Sequence, residues 1–158
     1  MAIYMKFGST KGDVSTGEFK DWITVHSFQL GVGRGIGSAA GSGANRQGSH
    51  ASVSEVTITK TLDPASIHLF SHALIGKLDV KVEFAFTIAN EKNDKYLEMF
   101  LTDTGVSGYS ISSGGDRPSE SVSLNFAKIE FKEITLDDTG GAAKPQSKTY
   151  DLMLHKLS

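Results

Sequence analysis

Residues 78–88 read LDVKVEFAFTI, with Leu78, Val80, Val82, Phe84, Phe86 and Ile88 on one parity and Lys81, Glu83 and Thr87 on the other. Side chains along a strand alternate between two faces, so this pattern spells one buried face and one wet face. The same period recurs elsewhere. Ile3 to Phe7 is a short opening strand, and Val53 to Leu62 alternates Val56 and Ile58 against Thr57 and Thr59. Tyr96 to Leu101, Val106 to Ile111 and the final Tyr150, Leu152, Leu154 run are further candidates.

Two runs change parity partway. Within Glu18 to Leu30, Ile23 and Val25 lie on one parity and Phe28 and Leu30 on the other, which predicts a bulge near His26-Ser27. Val122, Leu124 and Phe126 give way to Ile129 and Phe131, so the chain kinks at about Ala127-Lys128. A run this long can bend across a barrel corner. About eight strands result. Closing or nearly closing an antiparallel barrel is the natural way to remove their exposed edges.

One segment reads as a helix. Asp63-Pro64 supplies an N-cap and a first-turn proline, Gly76 supplies a stop, and Ile67, Leu69, Phe70, Leu74 and Ile75 keep helical spacing between them. Ile67, Phe70 and Leu74 are expected to form its buried stripe. Residues 31–50, GVGRGIGSAAGSGANRQGSH, hold seven glycines in twenty positions and almost no bulk. Strand patterns flank them on both sides, so they are expected to form a long loop or arm inside one domain, 1–158.

Composition removes several functions. Lys plus Arg number 16 against 18 Asp plus Glu, with no basic run, so there is no clustered field for nucleic acid. The absence of cysteine excludes disulfides, thiolate zinc sites and thiol nucleophiles. No window approaches 18 apolar residues, and MAIYMKFG does not read as a signal peptide, so synthesis in the cytoplasm and no membrane insertion are expected.

Catalytic and cofactor patterns are equally thin. Gly31, Gly33, Gly35 and Gly37 miss the GxGxxG spacing, and a strand pattern follows them where a phosphate site needs a helix. His68 and His72 stand at i and i+4, but Leu69 occupies the place of the catalytic glutamate in HExxH. Ser112 and Ser113 lie in a turn without the GxSxG frame of a hydrolase. No cofactor, metal or catalytic residue is expected.

The turn 112–118, SSGGDRP, is better explained as structure. Gly114 and Gly115 permit a left-handed backbone, and Pro118 holds Arg117 extended. Arg117 can then aim its donor fork at carbonyls or at a carboxylate, with Asp116, Glu120 or a neighbouring chain as acceptor. Beyond it, Ser121, Ser123 and Asn125 form a small uncharged face opposite Val122, Leu124 and Phe126. Ser27 and Gln29 do the same opposite Phe28 and Leu30. Such a face suits a wet lumen, a packed ring interface or an ordinary barrel exterior.

With these residues in view, the chain resembles the haemolysin-coregulated protein (Hcp) family, the tube subunits of bacterial type VI secretion systems. SGYSISSGGDRPSESVSLNFAKIE, residues 107–130, looks like the family's serine-glycine turn, Arg-Pro-x-Glu step and Leu-Asn-Phe strand. VTITKTLDPASIHL, residues 56–69, is similar to its strand-Lys-x-x-Asp-x-x-Ser-x-x-Leu helix entry. FQLGVGRG, residues 28–35, resembles the strand end that opens its glycine-rich loop.

The resemblance implies a mainly β protein: a two-sheet antiparallel β-barrel with one flanking α-helix and a long Gly-rich loop. It implies a six-membered ring that stacks into a tube within a contractile sheath, behind a spike. Small effector proteins would ride in the lumen, and the chain would itself be secreted to the extracellular space or a target cell without a signal peptide. It implies no enzymatic activity. Gly114, Gly115, Asp116, Arg117, Pro118 and Glu120 would hold the turn and adjoining interface. Gly31, Gly33, Arg34, Gly35, Asn45 and Arg46 would lie in the contact and stacking loop, and Ser27 and Gln29 would face cargo. The alternatives are a monomeric ligand-binding barrel and a hydrolase.

Overall fold

The computed structural model describes residues 1–37, 50–136 and 144–158. Among them the chain forms twelve strands and one helix. The strands are β1 (Ala2–Phe7), β2 (Ile23–Val25), β3 (Ser27–Gln29), β4 (Val32–Gly33), β5 (Ser52–Val53) and β6 (Val56–Thr61), then β7 (Val80–Thr87), β8 (Lys95–Ser112), β9 (Ser119–Asn125), β10 (Lys128–Glu133), β11 (Gln146–Asp151) and β12 (Lys156–Leu157). The helix α1 (Ser66–Ile75) lies between β6 and β7.

All pairings among the described residues are antiparallel, and they make two sheets around one core and a separate two-stranded ribbon, β4-β5. The first runs β12-β11-β10-β8-β7-β1-β2, and the second runs β3-β6-β9-β8. The two expected strands at 96–101 and 106–111 are one continuous strand, β8. Its first part pairs with β7 and β10, and its second part pairs with β9. Asp103, at φ 51°, and a register shift between Val106 and Gly108 turn it from one sheet into the other.

Both sequence parity changes fall where the chain changes sheet. β2 pairs with β1 and β3 pairs with β6, so His26 stands at a corner. β9 and β10 likewise divide between the sheets around Phe126-Ala127. Reversing parity keeps the apolar side chains inward as the chain crosses the corner. The inner faces deliver Met5, Ile23, Ile58, Phe84, Leu101 and Leu124 at 1% exposure or less. Phe28 packs edge-on against both Phe84 and Phe86, at 4.9 and 5.2 Å between centroids, and ties one sheet to the other.

Three expectations need correction. The final run is not one strand through Leu154. β11 ends at Asp151, whose Oδ1 accepts from the backbone N–H groups of Met153 and Leu154 and reverses the chain. The helix does not start at Pro64. Asp63 Oδ1 accepts from Ala65 N at 2.9 Å and closes a turn one step earlier, so α1 begins at Ser66.

The helix's orientation is also reversed. Ala65, Ser66 and Leu69 face the barrel, with His72 edge-on to Phe7 at 5.1 Å, while Ile67, Phe70 and Leu74 point outward and are exposed. Both sides of this helix are apolar, so spacing alone could not say which one meets the core.

Candidate functional site

Strand register builds the most ordered polar cluster in the molecule. Lys60 on β6 is the direct cross-strand partner of Glu120 on β9, and both point into the interior. The Lys60 side chain is fully buried and its Nζ donates to Glu120 Oε2 at 2.5 Å, Asp63 Oδ1 at 2.9 Å and the Thr61 carbonyl at 2.9 Å. Ser66 Oγ, 3.1 Å from Nζ, is a fourth acceptor for an ammonium with three protons. Ser66 Oγ donates in turn to Glu120 Oε2 at 2.8 Å and accepts from Asp63 N at 3.0 Å. The Tyr109 hydroxyl donates to Glu120 Oε1. Asp63 Oδ2 is buried and has no hydrogen-bond partner among the described residues.

The electrostatics follow from this geometry. Burial, the largest single influence on Glu120, pushes its carboxyl up. Hydrogen bonds from Lys60, Tyr109 and Ser66 and the Lys60 charge outweigh it and hold the group below the ordinary carboxylate range. Burial, then the bond and charge of Glu120, push the Tyr109 phenol above its ordinary value, so it remains a donor. One cation tied to two carboxylates and a helix-entry serine pins β6, β9 and the start of α1 together. Lys60, Ser66 and Glu120 are all buried and bonded to one another.

Of the acceptors open to Arg117, carbonyls or a carboxylate, the structure shows a carbonyl and not Glu120, which is committed to Lys60. Arg117 Nε donates instead to the Leu62 carbonyl at 2.7 Å, on the surface. Leu62 N bonds to the Pro118 carbonyl at 3.0 Å, so the turn is stitched to the strand leading into α1. Within the turn, Ser113 Oγ donates to the Asp116 carbonyl, and Gly115 takes φ 110°, where a side chain would be strained. Gly114 does not need positive φ. His68 is exposed while His72 faces the barrel, and no group of three or more potential metal ligands converges among the described residues.

A second feature lies on the outer face of the sheet that contains Ser27 and Gln29. Register aligns Ser27 with Thr59, Ser121 and Ser110 across four strands. The next row joins Gln29, Thr57, Ser123 and Gly108, and the row on the other side joins Thr61, Ser119 and Ser112. These three rows contain no charge and no bulky apolar group. Ser27 Oγ and Thr59 Oγ1 lie 2.5 Å apart within the first.

The ends of the glycine-rich segment are more ordered than expected. β4 and β5 form a two-stranded ribbon, with Val32 opposite Val53 and Gly33 opposite Ser52. Gly31 and Ser54 exchange two hydrogen bonds of 2.8 Å at its base. Arg34 is exposed beyond the ribbon, and Asn45 and Arg46 lie outside the described residues. Under the ribbon, Leu30, Val53, Ile129, Phe131, Tyr150 and Leu157 line an apolar pocket of about 230 Å³.

A family model for the type VI secretion system effector Hcp matches residues 4–132. The chain belongs to the Hcp family. Among solved structures, one described as a type six secretion system protein superposes with TM-score 0.91 at 25% identity, covering 99% of each chain. Hcp1 from Salmonella typhimurium gives TM-score 0.77 at 21% identity, with 99% of this chain and 98% of that one covered. A type VI secretion system effector from Yersinia pestis gives 0.73 at 22%, covering 94% and 98%. No curated protein matches the sequence.

Strand pairing joins residues that the sequence presented separately: Lys60, Asp63 and Ser66 at the helix entry and Glu120 after the turn form one cluster. Tyr109 is the member that sequence reasoning missed. Its signal was available: Val106, Tyr109 and Ile111 break alternation, and the register shift after Val106 turns Tyr109 inward. Among the described residues of this Hcp, no helix is long and apolar enough to cross a membrane.

Proposed function

We propose that this Hcp chain is a structural subunit of the type VI secretion tube. Six copies form a ring, rings stack, and the assembled tube carries small effector proteins in its lumen and is exported with them. It has sheath and spike proteins as partners and no catalytic turnover. The observation that carries this reading is the three-row hydroxyl and amide face built by β3, β6, β9 and the end of β8. A surface that must let many cargo proteins pass or lodge needs hydrogen-bonding capacity without fixed charge or apolar adhesion, and these rows supply it. Ser27 and Gln29 belong to them and are the proposed cargo contacts.

The glycine-rich segment, from Gly31, Gly33, Arg34 and Gly35 through Asn45 and Arg46, is the proposed contact between stacked rings. Its ordered base gives it a defined direction of departure. The ligand-binding barrel loses support because the interior is filled by side chains such as Phe84, Met5 and Leu101. The apolar pocket lined by Leu30, Val53 and Tyr150 lies under the ribbon.

Light scattering on the purified protein, followed by negative-stain imaging, tests the proposal. A species of six chain masses (each 16.9 kDa) with an open centre is expected. A monomer at every concentration would overturn it.

A further inference from the structure

The pocket under the β4–β5 ribbon takes no part in the hydroxyl face or in the Lys60 cluster. Leu30, Val32, Val53, Ile129 and Phe131 supply most of its lining, around about 230 Å³. Leu30, Val53 and Tyr150 also pack against the barrel core, so this part of the wall is fixed. Other lining residues stay open to solvent: Val32 is 68% exposed, Leu157 61% and Phe131 47%. Apolar surface turned toward one hollow gains free energy when an apolar body fills it.

Only two side chains of the lining carry polar atoms, Lys148 and Tyr150. They stand two residues apart on β11 and so share one face of the strand. Register sets Lys148 beside Phe131 and Tyr150 beside Ile129. Among the described residues, neither the Lys148 ammonium nor the Tyr150 hydroxyl has a hydrogen-bond or ion-pair partner. Glu133, on the same face of β10 as Phe131, accepts from the Thr135 hydroxyl at 2.8 Å instead of pairing with Lys148.

We infer that this pocket binds a small amphipathic carboxylate, its unbranched apolar chain under the ribbon and its acid group on Lys148 and Tyr150. Charge complementarity selects this class. A plain hydrocarbon would leave the ammonium and the phenol unused. A peptide would bring backbone amides, which are costly to bury against a lining that offers them so few partners. The volume is below the roughly 300–1,000 Å³ of pockets for drug-sized ligands, and suits a single slim chain. Lys148 is exposed, so its stem can lie along the apolar wall while the ammonium stays in water at the mouth. A chain held there would brace β4 and β5 against β10 and β11. The inference stands whether or not rings form.

The test titrates octanoate into the full chain by calorimetry, with octanol as the uncharged control. Saturable binding is expected, at least threefold tighter for octanoate. Lys148→Met should erase that preference while octanol still binds. Ala51→Phe puts a ring into the pocket wall and should weaken both ligands at least tenfold. Circular dichroism checks that each variant is folded. No saturable octanoate binding to wild type, a preference kept by Lys148→Met, or full binding by folded Ala51→Phe overturns the inference. Binding that appears only on dilution to single chains, followed by light scattering, also overturns it, because a second copy then fills the pocket.

Methyl NMR on the wild type decides the matter if a variant misfolds. Octanoate should give nuclear Overhauser contacts to the Val53, Ile129 and Leu157 methyls. Contacts confined to Ile67 and Leu74, which are exposed on α1, would mean general adhesion to apolar surface and would overturn the inference.

Discussion

Lys60 is the residue on which most of the polar interior depends. Removing it leaves the Glu120 carboxylate and the already under-bonded Asp63 buried without a cation. Breaking a buried pair from one side costs about 3–5 kcal/mol. Lys60→Ala is therefore expected to lower unfolding stability by that amount in a urea titration. Replacing both partners, as Lys60→Met/Glu120→Leu, should recover much of the loss, because no orphaned pair remains.

Arg117 sits at the other extreme. Its bond to the Leu62 carbonyl is exposed, so Arg117→Ala should cost at most about 1 kcal/mol by the same titration.

The pH dependence carries a definite sign. Glu120 is held below its ordinary carboxylate value of 4.5 in the folded chain. Its contribution is complete above that value and is lost as pH falls through the folded value. The melting temperature of wild type should drop on the acid side below about pH 4.5. Glu120→Gln should melt lower at neutral pH and show a flatter acid limb. An equally steep limb would move the acid sensitivity elsewhere.

Little of this cluster was legible from residue order alone. Lys60 and Glu120 are 60 positions apart, and only the pairing of β6 with β9 brings them together. The turn left carbonyls and carboxylates equally open to Arg117, and only the folded chain selects the Leu62 carbonyl over Glu120. Glu120 faces the interior, whereas Arg117 stays outside.

At the scale of elements, the strands were legible and the helix only half so. Alternation located β1, β6, β7, β9 and β10 because most of their apolar side chains fall on one parity, even though Ala85 and Thr87 on the second face of β7 are buried too. Parity changes located both corners because a crossing strand must reverse its faces. Alternation also ran past its true end at Leu154, where the Asp151 side chain turns the chain instead. The helix failed in orientation because its apolar residues surround it, so spacing alone does not choose the inward side.

The ribbon of β4 and β5 makes a prediction of its own. A Cβ at Gly33 would meet nothing within 4 Å, and one at Gly31 would meet Ser54 Oγ at 3.7 Å. Neither glycine requires a left-handed backbone. Gly31→Val/Gly33→Val should therefore fold with an unchanged circular dichroism spectrum while losing stacked rings under the microscope. Loss of the folded monomer would assign these glycines to the barrel.

For the whole molecule, the surface proposed above for cargo is the set of hydroxyl rows on β3, β6, β9 and the end of β8. Ser121 lies in the middle row of the hydroxyl face, so Ser121→Trp should leave ring mass and melting temperature nearly unchanged. Retention of a small co-expressed effector should fall several-fold. Equal retention would remove that face from the account of transport.

The shared strand β8 also sets how the molecule comes apart. Its 18 residues run from the middle of one sheet to the edge of the other, so neither sheet can shed it without stripping the other of a strand. An ordinary two-sheet protein can loosen one layer while the other persists. Here the layers have no such independence, and the chain should behave as a single mechanical piece. For the exported tube subunit proposed above, a seam that cannot be opened from one side would keep each copy folded in transit.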